Sequence, residues 1–551
     1  MVKTIYLLFV VEYFILAFLL WKLTAKKYSK RQLIFLNLIF FLIFISRIYK
    51  FNSVLGLDMD EAMGAVNSWS LGKYGVDYFN LVHNPIYLFA WGSGMNILYP
   101  LLTVPFIKMF GLSMVIYRSP MIFLSILSVF VFTVALVKYN LSIKKISILI
   151  MILFLSPWSF QASRWAIESN LFPIMMLFST AFLLLYLSEH QGTKKEIYYF
   201  CFIIFISLSA YTYSNNWMFL GLFVLLIFGY LRYKKLVTLK YTVLGALVML
   251  VIVLPLLVFL IINFTGRDSV TILGITIPKL AATRSVFMVH YGEIIKDLTA
   301  QLKYVTSLFI TGYDGLAKQG LPTWGAFYPL MITFFFVGII KLKGKLDEFT
   351  TIMLIMLISG GINILLIEPN WLHFNALMLP VLYFEYLGVV TVFDRKYELL
   401  SYVSIFLVCF VLCFHSYANN YQTLFQNGGQ NTSAGLGELI QEANHHYKNI
   451  YLMTDGKKTN SGAMFILPIF YNQINPYYFH EQTKNVKHEE FMTYRNYGKW
   501  HIIQAEQQHK RIVSKSKDSA FIVQKEVKKS LLPKHVVLKK NTNYYYLYEL
   551  K

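Results

Sequence analysis

Long apolar runs, of which Tyr241 to Phe264 and Ser401 to Phe414 are two, recur from residue 4 to residue 417, separated by more polar links, some short and basic and two of them long. A helix needs about 20 apolar residues to cross the hydrocarbon of a bilayer. Lipid offers no partner to free backbone groups, so spans of this kind must be helical. The pattern predicts spanning helices near residues 4–22, 33–49, 115–137, 146–163, 171–188, 197–213, 217–231, 240–263, 325–341, 349–367, 376–393 and 398–417. The fold class expected for residues 1–417 is therefore an all-α polytopic membrane domain of about 12 helices. Ile97 to Phe110 is apolar but short, and is expected to lie in the interface or to re-enter the membrane as a juxtamembrane helix.

The links give the orientation, because lysine and arginine near helix ends mark the cytoplasmic side. Basic clusters occur at Lys26 to Arg31, at Lys138, Lys144 and Lys145, at Lys194 and Lys195, at Arg232 to Lys235, at Lys341 to Lys345, and at Arg395 and Lys396. They fall in alternate links, and counting Ile97 to Phe110 as a span would break that alternation. Residues 50–114, 264–324 and 418–551 are thereby expected on the outer face. Past the last span the chain turns polar from Asn419 to Ser433. Ser433 is expected to cap a helix with Leu436, Leu439, Ile440, Ala443 and Tyr447 at helical spacing. β-like runs follow at Asn449 to Met453, Trp500 to Gln504, Ala520 to Val523, His535 to Leu538 and Tyr544 to Tyr548. Residues 418–551 thus read as a small extracytoplasmic α/β or α+β domain.

Composition agrees with this division. The 551 residues are 57% hydrophobic and 14% charged, against about 25% charged in soluble domains. The net charge of +22 is spread over links and the C-terminal segment, so it reflects membrane topology, and no nucleic-acid partner is expected. Cys201, Cys409 and Cys413 all lie in apolar runs and imply no disulfide framework. Leu7 to Leu20 is followed by Trp21, Lys22 and Leu23 where a cleaved signal would carry small residues. Abundant Lys, Ile, Asn, Tyr and Phe fit a low-GC bacterium, and the expected location is a bacterial cell membrane. His445 and His446 are adjacent on a helix, point in different directions, and do not make a metal site.

The chemistry concentrates in the first exterior loop: Leu57-Asp58-Met59-Asp60-Glu61-Ala62, Asn67, and Lys73-Tyr74-Gly75-Val76-Asp77. Carboxylates beside hydrocarbon are costly to desolvate, which suits a proton acceptor or a metal ligand; a solvated loop explains charge alone equally well.

The wider pattern resembles glycosyltransferase superfamily C, and within it the protein O-mannosyltransferase and lipid A aminoarabinose transferase group (family 39-like). An Asp-Glu pair after the outward helix, a spaced Asn and a Tyr-Gly-x-Asp are similar to that group's first exterior loop. Leu98-Tyr99-Pro100 to Gly111, Tyr117-Arg118-Ser119-Pro120, Ser156-Pro157-Trp158 and Ser163-Arg164-Trp165-Ala166-Ile167-Glu168-Ser169-Asn170 follow in the group's order. Glu368-Pro369-Asn370 through Pro380 resembles a late loop, with Trp371, His373 and Asn375 but without the group's arginine.

The resemblance implies an enzyme that takes a sugar from a polyprenyl-phosphate donor and passes it, with inversion, to a cell-envelope acceptor outside the membrane. By the same resemblance Asp60 is the general base, with Glu61 its partner and Glu168 a second-loop carboxylate. Arg118, Arg164, Arg267 and Arg284 are candidates for the donor phosphate, as guanidinium binds phosphate bidentately, with Lys279 and His290 in the same long loop. Snorkelling to lipid headgroups is the competing reading for Arg118. Lys73, Tyr74, Tyr87, Asn170 and His373 are candidate substrate contacts, and Tyr313 and Trp324 candidate stacking partners. A divalent cation held by Asp60 and Glu168 is left open. A polytopic transporter or lipid-linked-saccharide flippase is the alternative function; it should show repeated halves and helices broken at midplane, and no such repeat occurs.

Overall fold

A computed structural model describes residues 2–54, 56–280, 288, 290, 292–316, 320–342, 346–393, 395–424, 433–455, 461–488, 492–505, 512 and 518–551. Its helices are α1 (Val2–Thr24), α2 (Lys30–Ile48), α3 (Met59–Tyr74), α4 (Leu98–Phe110), α5 (Met114–Lys138), α6 (Ile143–Leu155), α7 (Pro157–Ala162), α8 (Glu168–Ser188), α9 (Thr193–Ser209), α10 (Trp217–Tyr233), α11 (Leu239–Thr265), α12 (Ile294–Thr311), α13 (Ile332–Ile340), α14 (Glu348–Ile364), α15 (Asn375–Val392), α16 (Lys396–Leu424), α17 (Leu436–His446), α18 (Ile466–Asn472) and α19 (Pro476–Thr483).

Among the described residues eight helices are long and apolar enough to cross a membrane: α1, α2, α5, α8, α10 with its lead-in from Ser214, α11, α15 and α16. The chain is a multi-pass membrane protein. The other four predicted spans hold shorter helices. Residues 146–163 divide into α6 and α7 at Ser156, whose backbone is extended (φ −63, ψ 151). The proline at 157 disfavours helical geometry in the residue before it and opens the next helix. Residues 325–341 become helical only at Ile332, after Pro329 and a left-handed Leu330 (φ 67). α9 and α14 each have 17 residues. The short apolar run expected at the interface is the 13-residue α4.

The chain forms two compact units. The first comprises residues 1–49, 118–258 and 285–419. Here α15 is buried along most of its length and packs on α6, α8, α13 and α14. Its crossing with α13 is backbone on backbone: a Cβ on Gly338 would stand 2.0 Å from the Phe384 carbonyl oxygen, and one on Gly388 1.9 Å from that of Phe334. Small residues permit such approaches where lipid gives helices no hydrophobic reason to associate.

The second unit comprises residues 50–117, 259–284 and 420–551. It contains α3 packed on α4 and α18 and the hairpins β1 (Tyr87–Leu88)–β2 (Met95–Asn96) and β3 (Val270–Ile272)–β4 (Ile275–Ile277). The C-terminal sheet uses β5 (Asn449–Thr454), β6 (Asn496–Tyr497), β7 (Trp500–Gln504), β8 (Ser519–Gln524), β9 (Val536–Asn541) and β10 (Tyr545–Leu550) in the order β6-β7-β5-β8-β10-β9. β5 runs parallel to β7 and β8, while β10 is antiparallel to β8 and β9. The sheet therefore mixes α/β and α+β character. Met453, Phe521, Val523 and Tyr548 build one of its buried clusters. The helix expected after Ser433 forms as α17, but Ser433 does not cap it. The N-cap is left-handed Gly435 (φ 77), and the Ser433 hydroxyl donates instead to the Leu57 carbonyl at 2.6 Å.

Candidate active site

The three carboxylates at the start of α3 have different tasks. Asp58 is the N-cap: its carboxylate accepts from the Asp60 backbone N–H at 2.9 Å. Glu61, wholly buried, returns the bond by accepting the Asp58 N–H at 3.2 Å. This reciprocal arrangement satisfies donors that a helix start otherwise leaves open and puts negative charge where the helix dipole favours it. Asp60, half-buried in the first turn, accepts from the indole N–H of Trp91 at 2.9 Å.

Trp91 reaches Asp60 because the intervening loop is tied to α3. The Asn67 side chain donates to the Phe89 carbonyl at 3.1 Å and accepts from the Tyr78 N–H at 3.0 Å. Asp77, fully buried, accepts from the N–H groups of Phe79 and Asn80 at 2.8 and 2.9 Å and from that of Phe89 at 2.5 Å. Burial nevertheless outweighs these three bonds and pushes the Asp77 carboxyl up to about 6. The chain then turns through β1 to Trp91 in a left-handed conformation (φ 50). From the other side, β4 meets the same loop: the Ile86 N–H donates to the Thr276 carbonyl and the Thr276 N–H to that of Asn84, both at 3.0 Å.

The remaining candidates in this unit divide by exposure. Lys73 is exposed, with its ammonium over the rings of Trp69 and Tyr74 at 5.3 and 5.4 Å. The Tyr74 hydroxyl accepts from the Asn475 side chain at 3.2 Å. Tyr87 is buried and stacks on Phe259, ring centroids 4.3 Å apart. Arg267 is exposed, Lys279 stands 3.5 Å from Asp268, and Arg284 lies outside the described residues.

In the first unit, Arg118 and Arg164 are fully buried, so snorkelling does not describe Arg118. Arg164 donates to the carbonyls of Ser46 at 3.2 Å and Tyr49 at 2.6 Å and stacks over Tyr417 at 5.0 Å. Its Nε has no hydrogen-bond partner among the described residues. Burial pushes its pKa down; Tyr417 opposes that fall and the Arg118 charge adds to it. Arg47 is a third buried arginine, bonded to the hydroxyls of Ser46, Ser125 and Ser159 and the carbonyl of Phe154 at 2.9 to 3.2 Å. Every one of these partners of Arg47 and Arg164 is neutral.

Glu168 opens α8, and the Asn170 side chain donates to the Trp165 carbonyl at 2.9 Å. Asn375 links elements: it donates to the Ser169 carbonyl at 2.6 Å and accepts from the Asn216 side chain at 3.0 Å. His373 is largely buried, its Nδ1 2.7 Å from the Glu368 carbonyl. Trp371 is clamped at 2.9 Å by the Asp314 carboxylate and the Gly312 carbonyl, and burial raises the pKa of Asp314. His290 pairs with Asp297 at 3.0 Å. Among the described residues no three His, Cys, Asp or Glu side chains gather as a metal site.

Sequence reading did not assign Trp91, Arg47 or the bonding role of Asp77. Arg47 was detectable, as an arginine in the last turn of an apolar run. Trp91 gave no local signal.

No protein-family model matches the sequence, and no curated protein matches it. Among solved structures the chain is similar to ArnT from Cupriavidus metallidurans bound to undecaprenyl phosphate, at 11% identity and a TM-score of 0.49, over 94% of this chain and 97% of that one. It is similar to the Archaeoglobus fulgidus oligosaccharyltransferase in complex with Zn and sulfate, at 12% identity and a TM-score of 0.45, over 79% and 61% of the two chains. It is also similar to the arabinofuranosyltransferase AftD from Mycobacteria, at 11% identity and a TM-score of 0.40, over 95% of this chain and 40% of that one.

Proposed function

We propose that the chain is an inverting membrane glycosyltransferase that moves a sugar from a polyprenyl-phosphate donor to a hydroxyl or amine of a cell-envelope acceptor on the outer face of a bacterial membrane. Asp60 is the general base. The observation that carries this reading is the division of labour at the start of α3: Asp58 and Glu61 close the helix cap, while Asp60 stays half-exposed with its carboxylate oriented by an indole N–H. A base must be held in place and yet be reachable.

In the reaction, Asp60 takes the acceptor proton as the acceptor atom bonds to the anomeric carbon. The bond from that carbon to the phosphate oxygen breaks, and its electron pair leaves on the lipid phosphate. Arg118 and Arg164 neutralise that phosphate. Arg164, a buried guanidinium bonded to neutral carbonyls and with an N–H to spare among the described residues, is suited to an anion, since charge interactions strengthen away from water. Glu168 orients the acceptor, and the C-terminal sheet lies with Asp60 on the extracytoplasmic side of about 12 spans.

The test is transfer of radiolabel from a panel of undecaprenyl-phosphate sugars to envelope extracts by the purified chain. Asp60→Asn should reduce transfer by about 10²- to 10⁴-fold, the usual contribution of a positioned base. Undiminished transfer by that variant refutes the assignment.

A further inference from the structure

The carboxylate of Asp60 is one end of a chain of contacts that begins in the C-terminal sheet. In β6 the Tyr497 hydroxyl donates to the Phe465 carbonyl at 2.6 Å. Phe465, 1% exposed, caps α18, and its ring meets the indole of Trp91 edge-on at 6.1 Å and 83°. Three more rings fix Phe465 itself: Phe79 at 6.2 Å, Phe479 at 6.4 Å and Tyr494 at 5.8 Å. Phe79 meets it edge-on, Phe479 is stacked and Tyr494 is tilted, and aromatic pairs of these kinds have preferred geometries that resist rotation. The indole in turn gives its only N–H to Asp60.

The same C-terminal segment holds α3 along its length. Ser433 donates to Leu57 just before the helix, and Asn475 donates to Tyr74 in its last turn. The Tyr78 hydroxyl donates to the Ile474 carbonyl at 2.9 Å, and His480 Nε2 lies 3.2 Å from the Tyr78 carbonyl.

We infer that Trp91 and Phe465 are positioning residues for the base, and that the C-terminal segment is part of the catalytic frame instead of a separate binding module. The inference rests on the reading of Asp60 as base. Trp91 holds the carboxylate through its Oδ1 and so fixes the rotation of the group that takes the acceptor proton. Phe465 fixes the tilt of the indole.

Two measurements on the full chain in nanodiscs test it. In the first, the indole N–H groups of the nine tryptophans are observed by ¹⁵N–¹H correlation, with Trp91→Phe identifying the Trp91 signal. Asp60→Asn and Phe465→Leu should each displace that signal; if neither moves it, the contact chain is wrong, whatever the substrate. In the second, turnover is measured with the undecaprenyl-phosphate sugar that the wild type accepts. Trp91→Phe and Phe465→Leu should each lower kcat about tenfold or more, the value of one hydrogen bond to a charged group, with KM for the donor lipid unchanged. A merely structural pair would lower the thermal midpoint and the folded fraction while leaving kcat per folded molecule intact. Wild-type kcat in both variants, with Asp60→Asn inactive, overturns the positioning role and leaves the base assignment standing. Full turnover by Asp60→Asn overturns both.

Discussion

At the scale of single residues, Asp77 shows how a buried carboxylate can be structural and still titrate. Its three N–H bonds favour the ionised form, but the loss of hydration is larger, and the carboxyl rises from 3.8 to about 6. The folded protein then takes up a proton before the unfolded chain does. The contribution of Asp77 to stability falls as pH rises from about 4 through about 6 and is flat above, with a span of about 3 kcal/mol. Asp77→Asn removes this dependence and turns an amide NH₂ toward the Phe89 or Phe79 N–H, leaving a buried donor unmet at a cost of about 1–3 kcal/mol. The thermal midpoint of the variant should lie below that of the wild type at every pH, and the gap should widen from pH 7 to pH 4. A gap that stays constant would mean Asp77 does not titrate in this range. The Asp58-x-x-Glu61 spacing is a capping signature, so two of the three carboxylates could be explained from sequence alone. The bond from Trp91 to Asp60 spans 31 positions and depends on Asn67 and Asp77 folding the loop back, which no local spacing encodes.

At the scale of elements, the crossing of α13 and α15 makes the sharpest prediction. A methyl group on Gly388 would have to displace the backbone of Phe334, and overpacking of this kind costs about 1–3 kcal/mol. Gly361 in α14 has nothing within 4 Å of the corresponding Cβ position, and alanine there gains helix propensity of about 1 kcal/mol. Gly388→Ala should therefore lower the detergent-solubilised thermal midpoint while Gly361→Ala leaves it level or raises it. Equal effects would mean the two helices can separate without cost. Apolar periodicity located these helices well because burial and length govern both the signal and the structure. It ran 146–163 as one span since α6 and α7 are both apolar, although Pro157 was visible and breaks the ladder at Ser156. It likewise began a span at 325, where Pro329 and the left-handed Leu330 delay the helix to Ile332.

At the scale of the whole molecule, the basic links give an expected orientation, because charge near helix ends is a property of composition and needs no tertiary contact. The grouping of the first exterior loop with the C-terminal segment in one unit was not legible, since it rests on pairs such as Ser433–Leu57 and Tyr78–Ile474 that are nearly 400 positions apart. That grouping constrains topology: residues tied by direct hydrogen bonds must share a side of the bilayer, so α3 and the sheet cannot be segregated. With Cys201, Cys409 and Cys413 replaced by alanine, cysteines at the exposed positions Lys73 and Lys528 should react with a membrane-impermeant maleimide added to intact cells. Cysteine at exposed Lys144 should react only after the membrane is opened. Labelling of positions 73 and 144 from the same side would remove an odd number of spans between them, and with it the outward placement of Asp60. Labelling of 73 and 528 from opposite sides would contradict the hydrogen bonds that join α3 to the C-terminal segment.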